Sequence, residues 1–167
     1  MDGTLTLIAF IGAAIAAGIS VMIIIHQRAS ADKKSAESLL FPAGGIVTTC
    51  FCIERNQDTF SKTYAGSSKG IVDVVIGPHT LIYFSHYTLF GRKFYLPGVQ
   101  LTRLGRGITP MFGVNKVMTV TDIEEKDDTL IMRAGPLTNA YTTSDLTFIF
   151  ADLQMLPKAV ALLMIEA

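Results

Sequence analysis

Residues 4–25 (TLTLIAFIGAAIAAGISVMIII) contain no charged side chain, and no Asp or Glu occurs between Asp73 and Asp122. The first gap excludes an ordinary solvated N-terminus. At about 1.5 Å of rise per residue these 22 positions make a helix of roughly 33 Å, enough to cross a hydrocarbon core of about 30 Å. Cysteine is almost absent: Cys50 and Cys52 are the only two. Two apart on a strand, they point to the same face, a poor geometry for pairing, so a disulfide framework is excluded and reduced structural thiols are expected. Of the three histidines, His26 falls at the end of the apolar run, His79 follows Gly-Pro, and His86 ends an aromatic strand. None belongs to H-E-x-x-H or another spaced ligand set, so no metal is expected. The segment 65–70 (AGSSKG) lacks the spacing of a phosphate loop and is expected to be a hairpin turn. No nucleophile elbow occurs, and the acids of 122–128 (DIEEKDD) fit a hairpin tip better than a buried carboxylate pair. Catalysis is therefore not expected, nor is a cofactor.

The leader Met1-Asp2-Gly3 carries no positive charge, and the apolar run exceeds the usual length of a signal-peptide core, despite the small triplet Ala29-Ser30-Ala31 beyond it. An uncleaved anchor over residues 1–26 is expected. Arg28, Lys33 and Lys34 follow the span, whereas Asp2 alone precedes it. The positive-inside rule then puts the N-terminus outside and the rest in the cytoplasm, giving a single-pass protein of the inner, cytoplasmic membrane. Gly12, Ala16 and Ser20 recur every four residues, flanked by Ala13 and Ala17, a spacing that lets another helix approach closely. These five are the candidate helix-packing residues.

Residues 27–38 (QRASADKKSAES) show no apolar periodicity and suit a polar tether, either a continued helix or a linker. The remainder, 39–167, is the size of one compact domain. β-Branched and aromatic runs at 46–55, 70–76, 80–86, 93–96 with 99–104, 115–120, 129–133 and 145–150 alternate with Gly77-Pro78, Pro97-Gly98, Asp127-Asp128 and Gly135-Pro136. About seven strands, antiparallel where connections are this short, are expected. The period then changes: Leu153, Leu156, Val160, Leu163 and Met164 line one face of a helix, with Asp152 placed to cap it. The fold class is mainly β, a small antiparallel barrel or sandwich with a C-terminal capping helix and one N-terminal transmembrane helix.

The stretches GIVDVVIGPHTLIYF, FGRKFYLPGVQLTRLGRG and FIFADLQMLPKAVALL resemble the bacterial pleckstrin-homology-like domain, over roughly residues 45–167. The resemblance implies a barrel plugged at one end by its last helix. It also implies a binding or assembly module without catalysis, and assigns no particular ligand.

Lysines and arginines equal the acids at 14 each, so nucleic acid is not an expected partner. The acid-free interval nonetheless holds Arg92, Lys93, Arg103, Arg106 and Lys116. Aromatics crowd the same region, and Tyr87 and Phe90 with Arg92, Lys93, Arg103 and Arg106 are candidates for contact with a protein partner or with lipid headgroups. The expected function is a non-catalytic accessory subunit of a larger membrane complex, of the respiratory or photosynthetic kind. Its partners are then integral membrane subunits and membrane lipids. The alternative is an anchored domain whose basic strands bind anionic lipid.

Overall fold

The computed structural model describes residues 3–58, 64–103, 114–136 and 142–165. A helix, α1 (Gly3–Leu40), runs unbroken for 38 residues through the apolar run and the polar stretch after it. A 3-10 turn, Phe41–Ala43, then leads into β1 (Ile46–Asp58), β2 (Tyr64–Gly77), β3 (Thr80–Leu89), β4 (Arg92–Tyr95), β5 (Gly98–Arg103), β6 (Val114–Lys126), β7 (Thr129–Pro136) and β8 (Thr142–Phe150). The last element is α2 (Met155–Met164). The segment 65–70, expected as a turn, is strand: Ser67 pairs with Arg55 and Ser68 with Glu54 of the long β1. Small residues with little packing of their own are held there by the backbone ladder.

Seven strands close on themselves in the order β1, β2, β3, β5, β6, β7, β8, with β8 returning to β1. β4 stands outside the circuit and pairs only with β3. One junction departs from the antiparallel expectation: β5 and β6 are parallel. Parallel neighbours need a crossover connection rather than a tight turn. The ten residues between these two strands supply that length, and they lie outside the described residues. The fold is thus a mixed barrel.

Alternate residues point inward, as a pleated strand requires. Val72, Val74 and Ile76 of β2 meet Cys50 and Cys52 of β1, Leu81 and Tyr83 of β3, Met132 of β7, and Phe148 and Phe150 of β8. Both thiols are free and buried. Burial, with the charge of neighbouring groups, pushes each up to about 12. Leu156, Ala159 and Leu163 of α2 join this core and plug one end of the barrel. Leu153, expected on the buried stripe, is exposed in the turn before α2, where Asp152 Oδ1 accepts the Gln154 N–H at 3.0 Å.

The plugged end is fixed by two backbone bonds: His79 N–H to the Leu162 carbonyl at 3.1 Å, and Arg103 N–H to the His79 carbonyl at 3.0 Å. The opposite, open end is where β1 stops, β2 starts and the β3–β4 turn projects. α1 lies along the outside of the wall, its last residue at the plugged end: a Cβ on Gly77 would meet the Leu40 side chain at 2.7 Å. Its other contact is at the opposite level, where the Tyr95 N–H donates to His26 Nδ1 at 3.1 Å. The N-terminal half of α1 therefore leaves the barrel on its open side. From 6 to 24 every residue is exposed, and this half is long and apolar enough to cross a membrane.

Candidate functional site

Outward-facing residues of β2 and β3 are not all polar, and the reason is α1. Ala36 packs with Val75, Ile82 and Phe84, and Leu40, Val47 and Tyr95 close around them. Ala29 and Ala36 are each 1% exposed. With Lys33 and Leu40 they form a line at spacings of four, three and four, one face of a helix. Small side chains on this line let the helix backbone approach the sheet.

At the centre of the contact is Asp73, 5% exposed. The Tyr95 hydroxyl donates to Oδ2 at 2.6 Å, the Thr49 hydroxyl to Oδ1 at 2.9 Å, and Lys93 Nζ reaches both oxygens at 3.0 and 3.2 Å. Lys33 of α1 adds an ion pair at 3.5 Å, bonds Glu37 at 2.8 Å and lies 5.4 Å from the centre of the Tyr95 ring. Burial alone would raise the Asp73 carboxyl, but the bonds from Tyr95, Lys93 and Thr49 outweigh it and hold it at about 2. Burial, then the Asp73 bond and charge, push the Tyr95 hydroxyl up, so it stays a donor. His86 Nε2 is 3.3 Å from Asp73 Oδ1, but neither ring nitrogen makes an aligned hydrogen bond. Burial lowers His86 below its ordinary value, against the pull of Asp73. The cluster ties α1 to residues of four strands, β1 to β4.

A second polar group faces the open end. Glu54 and Asn56 continue the inward side of β1 beyond Cys50 and Cys52. Tyr83 donates to Glu54 Oε2 at 3.4 Å, Ser144 to Glu54 Oε1 at 3.3 Å and to Asn56 Oδ1 at 2.8 Å, and Lys116 is 3.6 Å from Glu54. β2 and β3 stay paired only to Val72 and Ser85; beyond that β3 turns to β4. The parting leaves a cleft of about 190 Å³, lined by Cys52, Glu54, Lys69, Tyr83, His86 and Leu96 among others. Glu54 and Tyr83 there already satisfy one another, and Tyr83 is pushed up by burial and by Glu54. No nucleophile is activated among them.

The contact residues expected from the sequence are scattered by the fold. Arg92 is exposed at the β3–β4 turn, and Tyr87 stacks on Phe94 with ring centres 5.7 Å apart. Phe90 is 94% exposed. Lys93 is turned to Asp73, and Arg103 lies at the plugged end, the far side of the molecule from Arg92. Arg106 lies outside the described residues. The described cations thus do not form one basic face. At about 100° per residue, Ala13, Ala16, Ala17 and Ser20 come round between about 120° and 180° from the docked line of α1, and Gly12 at about 80°. They look away from the side that the barrel occupies. The Ser20 hydroxyl donates back to the Ala16 carbonyl at 2.9 Å, so it is satisfied within the helix.

Neither family models nor curated proteins match the chain. Asp73, Lys33, His26, Tyr95 and Glu54 are not among the contact residues expected from the sequence. A signal for them existed: residues 74–76 and 81–84 are apolar at consecutive rather than alternate positions, which marks a wall covered on both faces.

Proposed function

We propose that this chain is a membrane-anchored, non-catalytic accessory subunit, with α1 as the lateral docking element and the barrel as a brace against its partner outside the bilayer. The observation that carries the reading is the division of α1. Its C-terminal part is locked to the barrel by Asp73 and by the alanine line, while residues 6–24 of its apolar part are exposed. A continuous helix fixed in this way transmits the position of the span to the barrel, which suits a bracing role better than a tethered, freely swinging domain.

The arginine and lysines after the apolar run support a cytoplasmic barrel under the positive-inside rule. We group the barrel with pleckstrin-homology-like modules on its seven closed strands and plugging C-terminal helix. The parallel β5–β6 pair is its departure from an all-antiparallel form. The small-residue line is free to meet a partner helix because it lies away from the barrel.

Purification of the tagged full-length chain in mild detergent, with mass spectrometry of what remains bound, tests the role. A stoichiometric set of integral membrane proteins is expected, released by the double substitution Gly12→Leu with Ala16→Leu. Recovery of the chain alone, or with lipid only, would overturn the accessory role in favour of an anchored lipid-binding domain.

A further inference from the structure

The β3–β4 turn has the wrong residues for a turn in water. Phe90 and Gly91 are its two central positions, since Leu89 pairs with Arg92, and their φ angles are 50° and 72°. Left-handed values at both positions define a type I′ turn, where Asn, Asp or Gly is the usual first residue. A bulky side chain there is strained. Here it is phenylalanine, almost wholly exposed, and no contact within the chain repays it. Leu89 beside it is also exposed.

The place of this turn follows from the docking of α1. Ile82 of β3 shares a cluster with Ala36, and His86 pairs with Tyr95, whose N–H meets His26. Four residues of strand, about 13 Å, thus match ten residues of helix, about 15 Å, so β3 and α1 run side by side in opposite directions. Four more strand residues carry the chain from His86 to Phe90, about another 13 Å beyond His26 and toward the apolar half of α1. On that half, Met22 and Ile15 continue the docked line and face the side of the turn.

We propose that the β3–β4 turn is a second membrane contact, in which Leu89 and Phe90 enter the interface of the bilayer that α1 crosses and Arg92 meets anionic headgroups. This rests on the anchoring part of the function proposed above. The bilayer is the occupant favoured by three features. The turn projects on the side where the one long apolar helix among the described residues leaves the barrel, it combines an aromatic and an aliphatic residue with a flanking cation, and it stands in a stretch without acids from 74 to 121. The free edge of β4 limits the depth, because hydrocarbon cannot satisfy its backbone groups. The open end of the barrel, with Glu54 and its cleft, then faces the membrane surface.

The chain has no tryptophan, so single replacements report without background. Full-length Phe90→Trp, Ile15→Trp and Leu153→Trp are placed in phosphatidylcholine–phosphatidylglycerol vesicles carrying brominated acyl chains, with iodide added outside. The expected result is blue-shifted Phe90→Trp emission, quenched by bromine and protected from iodide, with Ile15→Trp quenched by bromine and Leu153→Trp by iodide. Phe90→Trp open to iodide and untouched by bromine, with Ile15→Trp still quenched, would overturn the second contact and leave the anchor standing. Protection from both quenchers would overturn it in favour of a second copy covering the turn. Loss of bromine quenching at Ile15→Trp would remove the anchor itself, and the turn contact with it.

Discussion

Asp73 gathers Thr49 of β1, His86 of β3, Lys93 and Tyr95 of β4 and Lys33 of α1 around one carboxylate. Its carboxyl titrates at about 2 in the fold against an ordinary value of 3.8, so folding favours the charged form. The resulting stabilisation, about 2 kcal/mol, is complete above about pH 5 and drains away as the pH falls toward 2. His86 acts in the same direction from a higher starting point. Its value is lowered, so the fold favours the neutral ring, and that contribution is present above 6.5 and lost as the pH falls below it. Acid therefore loosens the attachment of α1 in two stages, His86 first. Asp73→Asn is expected to cost about 2 kcal/mol at pH 7, since it leaves Lys93 without its counter-ion and Lys33 with Glu37 alone. It should also flatten the stability profile between pH 5 and pH 2. Thermal melting of the full chain in detergent across this range checks both; an unchanged acid profile in the variant would assign the transition to other carboxylates.

The junction of α1 with β2, β3 and β4 depends on close approach, and its alanines are as decisive as its charges. Ala36→Leu puts three extra carbons into a filled contact beside Val75, Ile82 and Phe84, an overpacking worth about 1 to 3 kcal/mol. Amide exchange should quicken over 26–40 and stay slow in Leu130, Met132 and Phe148, which lie in the separate interior core. Ala13→Leu, on the exposed half of the same helix, should change neither. A uniform rise in exchange through the barrel after Ala36→Leu would show that helix and barrel melt as one unit. The sequence made the strands legible because inward residues alternate along β1, β6 and β8, and it made α2 legible through the spacing of Leu156 and Leu163. It hid the docking of 27–40, because the face that α1 presents to the barrel is built from Ala29, Lys33 and Ala36, too small and too polar to register as an apolar stripe. Asp73 was concealed likewise, as an outward polar residue in a β pattern. Its burial exists only once a helix 40 residues earlier is laid over it.

At the scale of the molecule, the proposed anchor makes the direction in which α1 leaves the barrel decide which end would meet the membrane. The open end, with the β3–β4 turn and the Glu54 cluster, is on the side of the apolar half, and the plugged end, with α2 and the Asp127-Asp128 turn, points away. The charges flanking the apolar run predict that the distal end is cytoplasmic. The two native cysteines give little background to a thiol test, being buried and raised to about 12, far from the thiolate form at neutral pH. Lys126→Cys, exposed beside the distal turn, should react with a membrane-impermeant maleimide in inside-out vesicles and stay unlabelled in intact spheroplasts. The reverse pattern would place the barrel outside, and its partner's contact surface with it. Labelling from both sides would mean that the apolar half of α1 does not hold one orientation. A bracing subunit could not act that way, because the rigid joint at Asp73 transmits position to the barrel only if the span itself is fixed.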